Sequence, residues 1–242
     1  MQNIGKSIQE EKMGNNLYPV DHLSISSLQS FSNCPFSFFM RYICGIKPVQ
    51  VEKAILGTQF QEALNAKYRG EDPVPLIAKM APKSRGIATL LIMKAKEFTD
   101  IISLDQKYEV DLGFGIPVVF VPDILTKESI VENKFTTGYY NPKMVLTERQ
   151  RIVYYVGVRK LFGFNPKVYY QLFNTLKKTV ELIETPTGLG DIDKLMDWIE
   201  LKLGQIQKCM ATGIWDIGAE HGFCNYKNCC PLGIKYGNKY KK

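Results

Sequence analysis

A mixed α/β domain is predicted by three features of the sequence. The first hundred residues carry the 3.6-residue apolar spacing of helices, residues 108–135 change to the period of two that strands need, and the two spacings then alternate to about residue 206. Ser24, Ser26 and Ser27 stand just ahead of Leu28 and Phe31, the pattern of a capped short helix. Cys34-Pro35-Phe36 opens a second helix with proline at its first position. That helix carries Phe36, Phe38, Phe39, Tyr42 and Ile43, apolar all round, and so belongs in a core. A further helix is expected over 57–68, and Ile87, Leu90, Leu91, Lys94 and Phe98 stripe a longer one. Tyr108, Val110 and Leu112 then alternate with Glu109, Asp111 and Gly113, and residues 118–126 and 129–135 continue as strands. Residues 147–162 revert to a helix, 167–173 and 177–183 read as a strand pair, and Ile192, Leu195, Ile199, Leu203 and Ile206 mark a last long helix.

Composition bounds the function. The 242 residues are 45% hydrophobic and 23% charged, enough for one good core and incompatible with disorder throughout. The longest aliphatic run, 87–93, is far short of the roughly 18–20 apolar residues of a membrane span. Residues 1–18 are expected as a flexible arm lacking a secretory signal and 19–242 as a single domain, in a cytoplasmic protein. In that compartment the six cysteines are thiols, buried small residues or metal ligands rather than disulfides. A net charge of +7 favours a polyanionic partner, because Lys and Arg at phosphates release counterions. Arg149, Arg151, Arg159 and Lys160 cluster around a Tyr-rich helix, and residues 227–242 hold five Lys and no acid. With only His22 and His221 in the chain, a His-centred mechanism is not expected.

The densest chemical signal is Pro122-Asp123 followed by Glu132-Asn133-Lys134. Residues two apart on a strand share a face, so Glu132 and Lys134 project together. If Lys127-Glu128 is a two-residue hairpin loop, paired positions sum to 255 and Asp123 faces Glu132, although Lys-Glu is not the favoured Asn-Gly turn. Cβ atoms of opposed residues lie about 4.5–5.5 Å apart, where two carboxylates repel unless one is protonated or a cation lies between them. Oxygen donors with few histidines and no thiol nearby select Mg²⁺ or Mn²⁺ over Zn²⁺. The alternative is a surface hairpin with scattered charge.

These residues resemble the PD-(D/E)XK nuclease superfamily, and within it the RecB-like branch that includes the CRISPR adaptation exonucleases. Residues 23–42 (LSISSLQSFSNCPFSFFMRY) look like its N-terminal motif and residues 121–135 (VPDILTKESIVENKF) like its acidic core. Gln150 and Tyr154 match its Q-x-x-x-Y helix. The resemblance implies a restriction-endonuclease-like core, a mixed central sheet flanked by helices with a helical N-terminal part. It also implies metal-dependent hydrolysis of DNA phosphodiesters, usually from a single-stranded end, in recombination, repair or phage replication, alongside a helicase or recombination partner. Asp123 and Glu132 would hold Mg²⁺ or Mn²⁺, and Lys134 would orient the attacking water or stabilise the phosphorane. Gln150 and Tyr154, with Arg151 beside them, would contact substrate; the alternative for Tyr154 is packing at the core rim.

Two departures from the pattern stand out. Relatives carry a helical His four residues after a Gly as a further metal ligand; here Gly57 is followed at that position by Gln61, with Glu62 adjacent and Glu109 a further candidate acid. Relatives also often hold a [4Fe-4S] cluster. Cys34, Cys224, Cys229 and Cys230 are the candidates, but the usual last ligand falls at Tyr236, and adjacent Cys229 and Cys230 would both have to reach one cluster. An intact cluster, a Zn²⁺ site and a metal-free remnant are all open; Cys44 and Cys209 are expected as buried small residues. Gln61 and the incomplete cysteine set also leave a second class open, a catalytically weakened DNA-binding or structural subunit of a larger nuclease complex.

Overall fold

The computed structural model describes residues 18, 20–48, 52–136, 142–218, 226 and 230. Its helices are α1 (Ile25–Asn33), α2 (Pro35–Phe38), α3 (Glu52–Tyr68), α4 (Val74–Ala78), α5 (Pro82–Lys94), α6 (Arg149–Phe162) and α7 (Leu189–Thr212). The strands are β1 (Ile101–Leu104), β2 (Tyr108–Val110), β3 (Val118–Phe120), β4 (Ile124–Thr126), β5 (Ser129–Thr136), β6 (Lys167–Asn174) and β7 (Thr179–Glu184). No helix among the described residues is long and apolar enough to cross a membrane. The chain divides into two compact units interleaved in sequence, one of residues 1–49, 109–119 and 193–242, the other of residues 50–108 and 120–192.

The second unit holds a five-stranded sheet in the order β1-β4-β5-β6-β7. Its pairs are antiparallel except β5 and β6, which run parallel across the crossover that contains α6. Strand β5 is long and its first half is buried on both faces, as a central strand requires. On one side Phe60, Ala63 and Leu64 of α3 and Leu91 and Ile92 of α5 pack with Phe173 of β6. The Phe60 ring lies 4.4 Å from Phe135 and 4.9 Å from Phe173, centroid to centroid.

Helix α5 starts earlier than its stripe suggests, at Pro82, and ends at Lys94. Ala95 turns to an extended conformation there, and the Lys67 ammonium takes the carbonyls of Ile92 and Ala95. Phe98 therefore lies beyond the helix, and the chain is free to form β1, a strand with too few residues to show a period. The expected strand 118–126 is two strands, because residues 121–123 change partner between β2 and β1, with Pro122 at the break.

The β4–β5 turn replaces glycine chemistry with a hydroxyl. Neither Lys127 nor Glu128 takes a positive φ. Thr126 Oγ1 instead accepts the Glu128 and Ser129 amides at 3.2 and 2.9 Å, and lies 2.9 Å from the Ser129 hydroxyl.

In the first unit a capping box of Ser24 and Ser27 starts α1, and α2 runs on into a π-helical turn, Phe39–Ile43. Leu23 bridges to Val118, with its N–H on Pro117 O at 2.9 Å and its O accepting from Val119 at 2.7 Å. The Trp215 ring stacks on Phe38 at 6.2 Å and meets Phe31 edge-on at 6.4 Å. Leu195, Ile199, Leu203 and Ile206 are the buried stripe of α7, as their spacing predicts.

Gly157 of α6 is demanded by packing. A Cβ there would lie 2.4 Å from the Phe120 ring, which is itself buried between Tyr108 at 5.5 Å and Tyr154 at 6.0 Å. Alanine favours a helix over glycine by about 1 kcal/mol, but forcing a methyl into a packed core costs about 1–3 kcal/mol. Gly157→Ala is expected to lower the thermal midpoint despite its helix propensity; a raised midpoint would contradict the packing.

Candidate active site

The sheet register brings the acids together. Ile124 pairs with Val131 and Leu125 with Ile130, so positions sum to 255 as the two-residue loop requires. Asp123, one step before β4, accepts the Asn133 amide on Oδ2 and so sits beside Glu132. Glu132 is buried while Asp123 is half-buried. Burial, and next the charge of Glu132, push the Asp123 carboxyl well above the usual carboxylate range; Asp105 adds to this, and the Asn133 amide and Lys134 oppose it.

Glu132 is gripped on both oxygens. The Lys134 ammonium donates to Oε1 at 2.7 Å and the Tyr154 hydroxyl to Oε2 at 2.6 Å. Tyr154 also lies 2.9 Å from Val121 O, but its single proton favours the charged acceptor. Gln150, one turn earlier on α6, donates its amide to the Tyr154 oxygen and presents its own oxygen 3.4 Å from Lys134 Nζ. Lys134, Glu132, Tyr154 and Gln150 therefore close a ring of hydrogen bonds. Burial alone would lower the Lys134 pKa, but the charge of Glu132 and the hydrogen bond to it outweigh burial and hold it above its ordinary value. Burial and the same charge push Tyr154 far up, so the phenol stays protonated.

The helix motif is held by buried partners. Tyr154 has no exposed surface and its hydroxyl is engaged by Glu132. Arg151 is also buried; it donates to Leu146 O, Pro186 O and Thr187 and pairs with Asp191 at 3.1 Å. Gln150 is half-buried and borders the ring.

Asp123, Glu132, Asn133 and Lys134 line a cavity of about 510 Å³ whose other wall is α3, with Gly57, Gln61 and Glu62. Gln61 is thus brought to the same cavity as the acids. Glu109 is not: it lies exposed on β2 and does not line the cavity. Asp105 stands there instead, between β1 and β2 in a left-handed conformation (φ 49°). Its amide donates to Asp123 O at 3.1 Å, and its carboxylate accepts from Asn65 and, at 3.4 Å, from Gln61. Sequence reading missed it because β1 was missed; an acid following a four-residue aliphatic stretch carries no period of its own.

The lining fits a hard cation: its donors are carboxylate and amide oxygens, without thiol or imidazole, and four acids line it against the single Lys134. Asp123 and Glu132 would be the anionic ligands and Gln61 a neutral one. Among the described residues no three His, Cys, Asp or Glu side chains are drawn together tightly enough to hold an ion as they stand. Among the described residues the cysteines give no such set. Cys34 caps α2 with Sγ 3.4 Å from the amides of Ser37 and Gly218, Cys230 is buried, and Cys224 and Cys229 lie outside the described residues. Cys44 and Cys209, expected as buried, are only half-buried.

A carboxyl whose proton affinity is raised by folding contributes full stability only below its unfolded pKa of about 3.9 and loses it as pH rises through the folded value. Without divalent metal, Asp123→Asn should therefore raise the thermal midpoint above wild type, by an amount that vanishes near pH 4 and grows toward pH 7. Parallel midpoint curves for the two proteins would contradict the repulsion.

The family model of the PD-(D/E)XK nuclease superfamily matches residues 22–108, ending before the acidic hairpin. No curated protein sequence matches the chain significantly. Among solved structures, a proposed exonuclease from Eubacterium rectale superposes with a TM-score of 0.65 at 13% identity, over 88% of each chain, a likeness of fold. The structure of the protein SSO0001 covers 95% of each chain at 11% identity, with a TM-score of 0.42, below the level at which a shared fold can be argued. The sequence likeness to the PD-(D/E)XK nuclease superfamily is thus carried by residues 22–108, and the mixed sheet flanked by helices adds a likeness of fold to a proposed exonuclease.

Proposed function

We propose that the protein is a divalent-metal-dependent DNA exonuclease, hydrolysing phosphodiester bonds from single-stranded ends. The observation that carries this is the meeting of Asp123 and Glu132 beside the Lys134 ammonium at one cavity, two acids that repel unless a cation is held between them. The match of residues 22–108 to the superfamily's family model supports a nuclease, the positive charge of the chain supports a nucleic acid substrate, and the fold shared with the proposed exonuclease supports action from an end.

Asp123 and Glu132 would hold Mg²⁺ or Mn²⁺ with Gln61. Such an ion polarises a phosphoryl oxygen and lowers the pKa of a bound water. Lys134 is held protonated, so it donates hydrogen bonds to the phosphate and stabilises its developing charge; it is not the base. Tyr154 keeps its proton on Glu132 and fixes that carboxylate to one orientation, while Gln150 braces both Tyr154 and Lys134.

An assay on end-labelled linear single-stranded DNA, its circular form and linear RNA tests the reading. Loss of the linear DNA alone, and only with Mg²⁺ or Mn²⁺, is expected; no cleavage in any metal, or equal cleavage of circles, overturns it. Glu132→Ala and Lys134→Ala should each reduce the rate at least about a hundredfold with the fold intact by circular dichroism. Tyr154→Phe should cost about 10–100-fold, the scale of an outer-shell partner. A Tyr154→Phe protein at the wild-type rate would remove the hydroxyl from the mechanism.

A further inference from the structure

The Gln61 side chain has an orientation that the chain goes to some length to impose. Its Nε2 donates to Asn65 Oδ1 at 3.1 Å and to Asp105 Oδ1 at 3.4 Å, which uses both hydrogens of a primary amide. No hydrogen bond among the described residues engages its oxygen. Asn65, one turn further along α3 and buried, donates its own amide to the other Asp105 oxygen. An ionised carboxylate only accepts, so the edge of Gln61 that faces Asp105 must be nitrogen, and its oxygen is turned elsewhere. Asp105 in turn is seated in a left-handed conformation by the bond from its amide to Asp123 O, which ties it to the acid at the centre of the cavity.

We propose that Asp105 is a positioning residue for the cation site, locking the Gln61 amide with its carbonyl oxygen free to coordinate the metal beside Asp123 and Glu132. The inference rests on the metal-dependent reading above and deepens it. Asp105 acts through Gln61 and not as a ligand, its two carboxylate oxygens being engaged by the Gln61 and Asn65 amides. It plays for a neutral amide the part that an outer-shell carboxylate plays for a ligating imidazole, selecting which atom faces the metal. Asparagine at 105 could offer either edge to Gln61, so the lock would be lost while shape and packing stay.

The test is Mn²⁺ affinity of the full chain by isothermal titration calorimetry, with melting in EDTA as the check on folding. Gln61→Ala and Asp105→Asn are each expected to weaken binding about tenfold. The double variant should be no weaker than Gln61→Ala alone, because Asp105 works through the residue already removed. Wild-type affinity in Asp105→Asn or in Gln61→Ala overturns the proposal, and so do losses that multiply in the double variant. Asp123→Asn separates this from the parent reading: if it too binds Mn²⁺ as tightly as wild type, the metal site itself is misassigned, whereas a loss confined to Asp123→Asn sinks only the roles of Gln61 and Asp105.

Discussion

Two carboxyl groups held side by side on neighbouring strands repel, and in a half-dry site the repulsion is large enough to move protons. The sheet leaves Asp123 and Glu132 no room to part: β4 is pinned by β1, and β5 by eight successive residues of β6. What offsets the repulsion in this fold is a set of donors aimed at the pair, namely the Asn133 amide on Asp123 and the Lys134 ammonium and Tyr154 hydroxyl on Glu132. The cavity beside them supplies the remaining way out, a place for positive charge. Strand register, helix α6 and helix α3 can each be understood as serving that one electrostatic constraint.

Much of this was legible in the sequence because it depends on counting. A strand alternates by twos and a short loop fixes the sum of paired positions, so 123 and 132 could be matched without coordinates. The turn type could not be read the same way, since the Thr126 hydroxyl does work that glycine usually does. The acid-bearing hairpin also falls outside the stretch that the family model matches, so the register had to stand on its own arithmetic.

Direction and length are harder to read. Charge and aromaticity at Arg151 and Tyr154 suit DNA, but helix spacing alone does not say whether a face looks outward or inward. Here that face looks inward, onto Glu132 and the Pro186–Asp191 segment. Asp105 was overlooked and Glu109 preferred because β1 has four residues, too few to announce itself, and a missing strand shifts which acids border the cavity.

The hydroxyl-bound tip at 127–128 has an implication for how the gene can vary. Exposed hairpin ends usually accept added or lost residues without penalty. This one is a poor place for them: any length change that re-registers the hairpin by a single position exchanges the two faces of β5, presenting Asn133 and Phe135 where Glu132 and Lys134 now stand. The Leu176–Lys178 bend between β6 and β7 carries none of the cavity-lining groups, so it can absorb insertions that the other end of the sheet cannot.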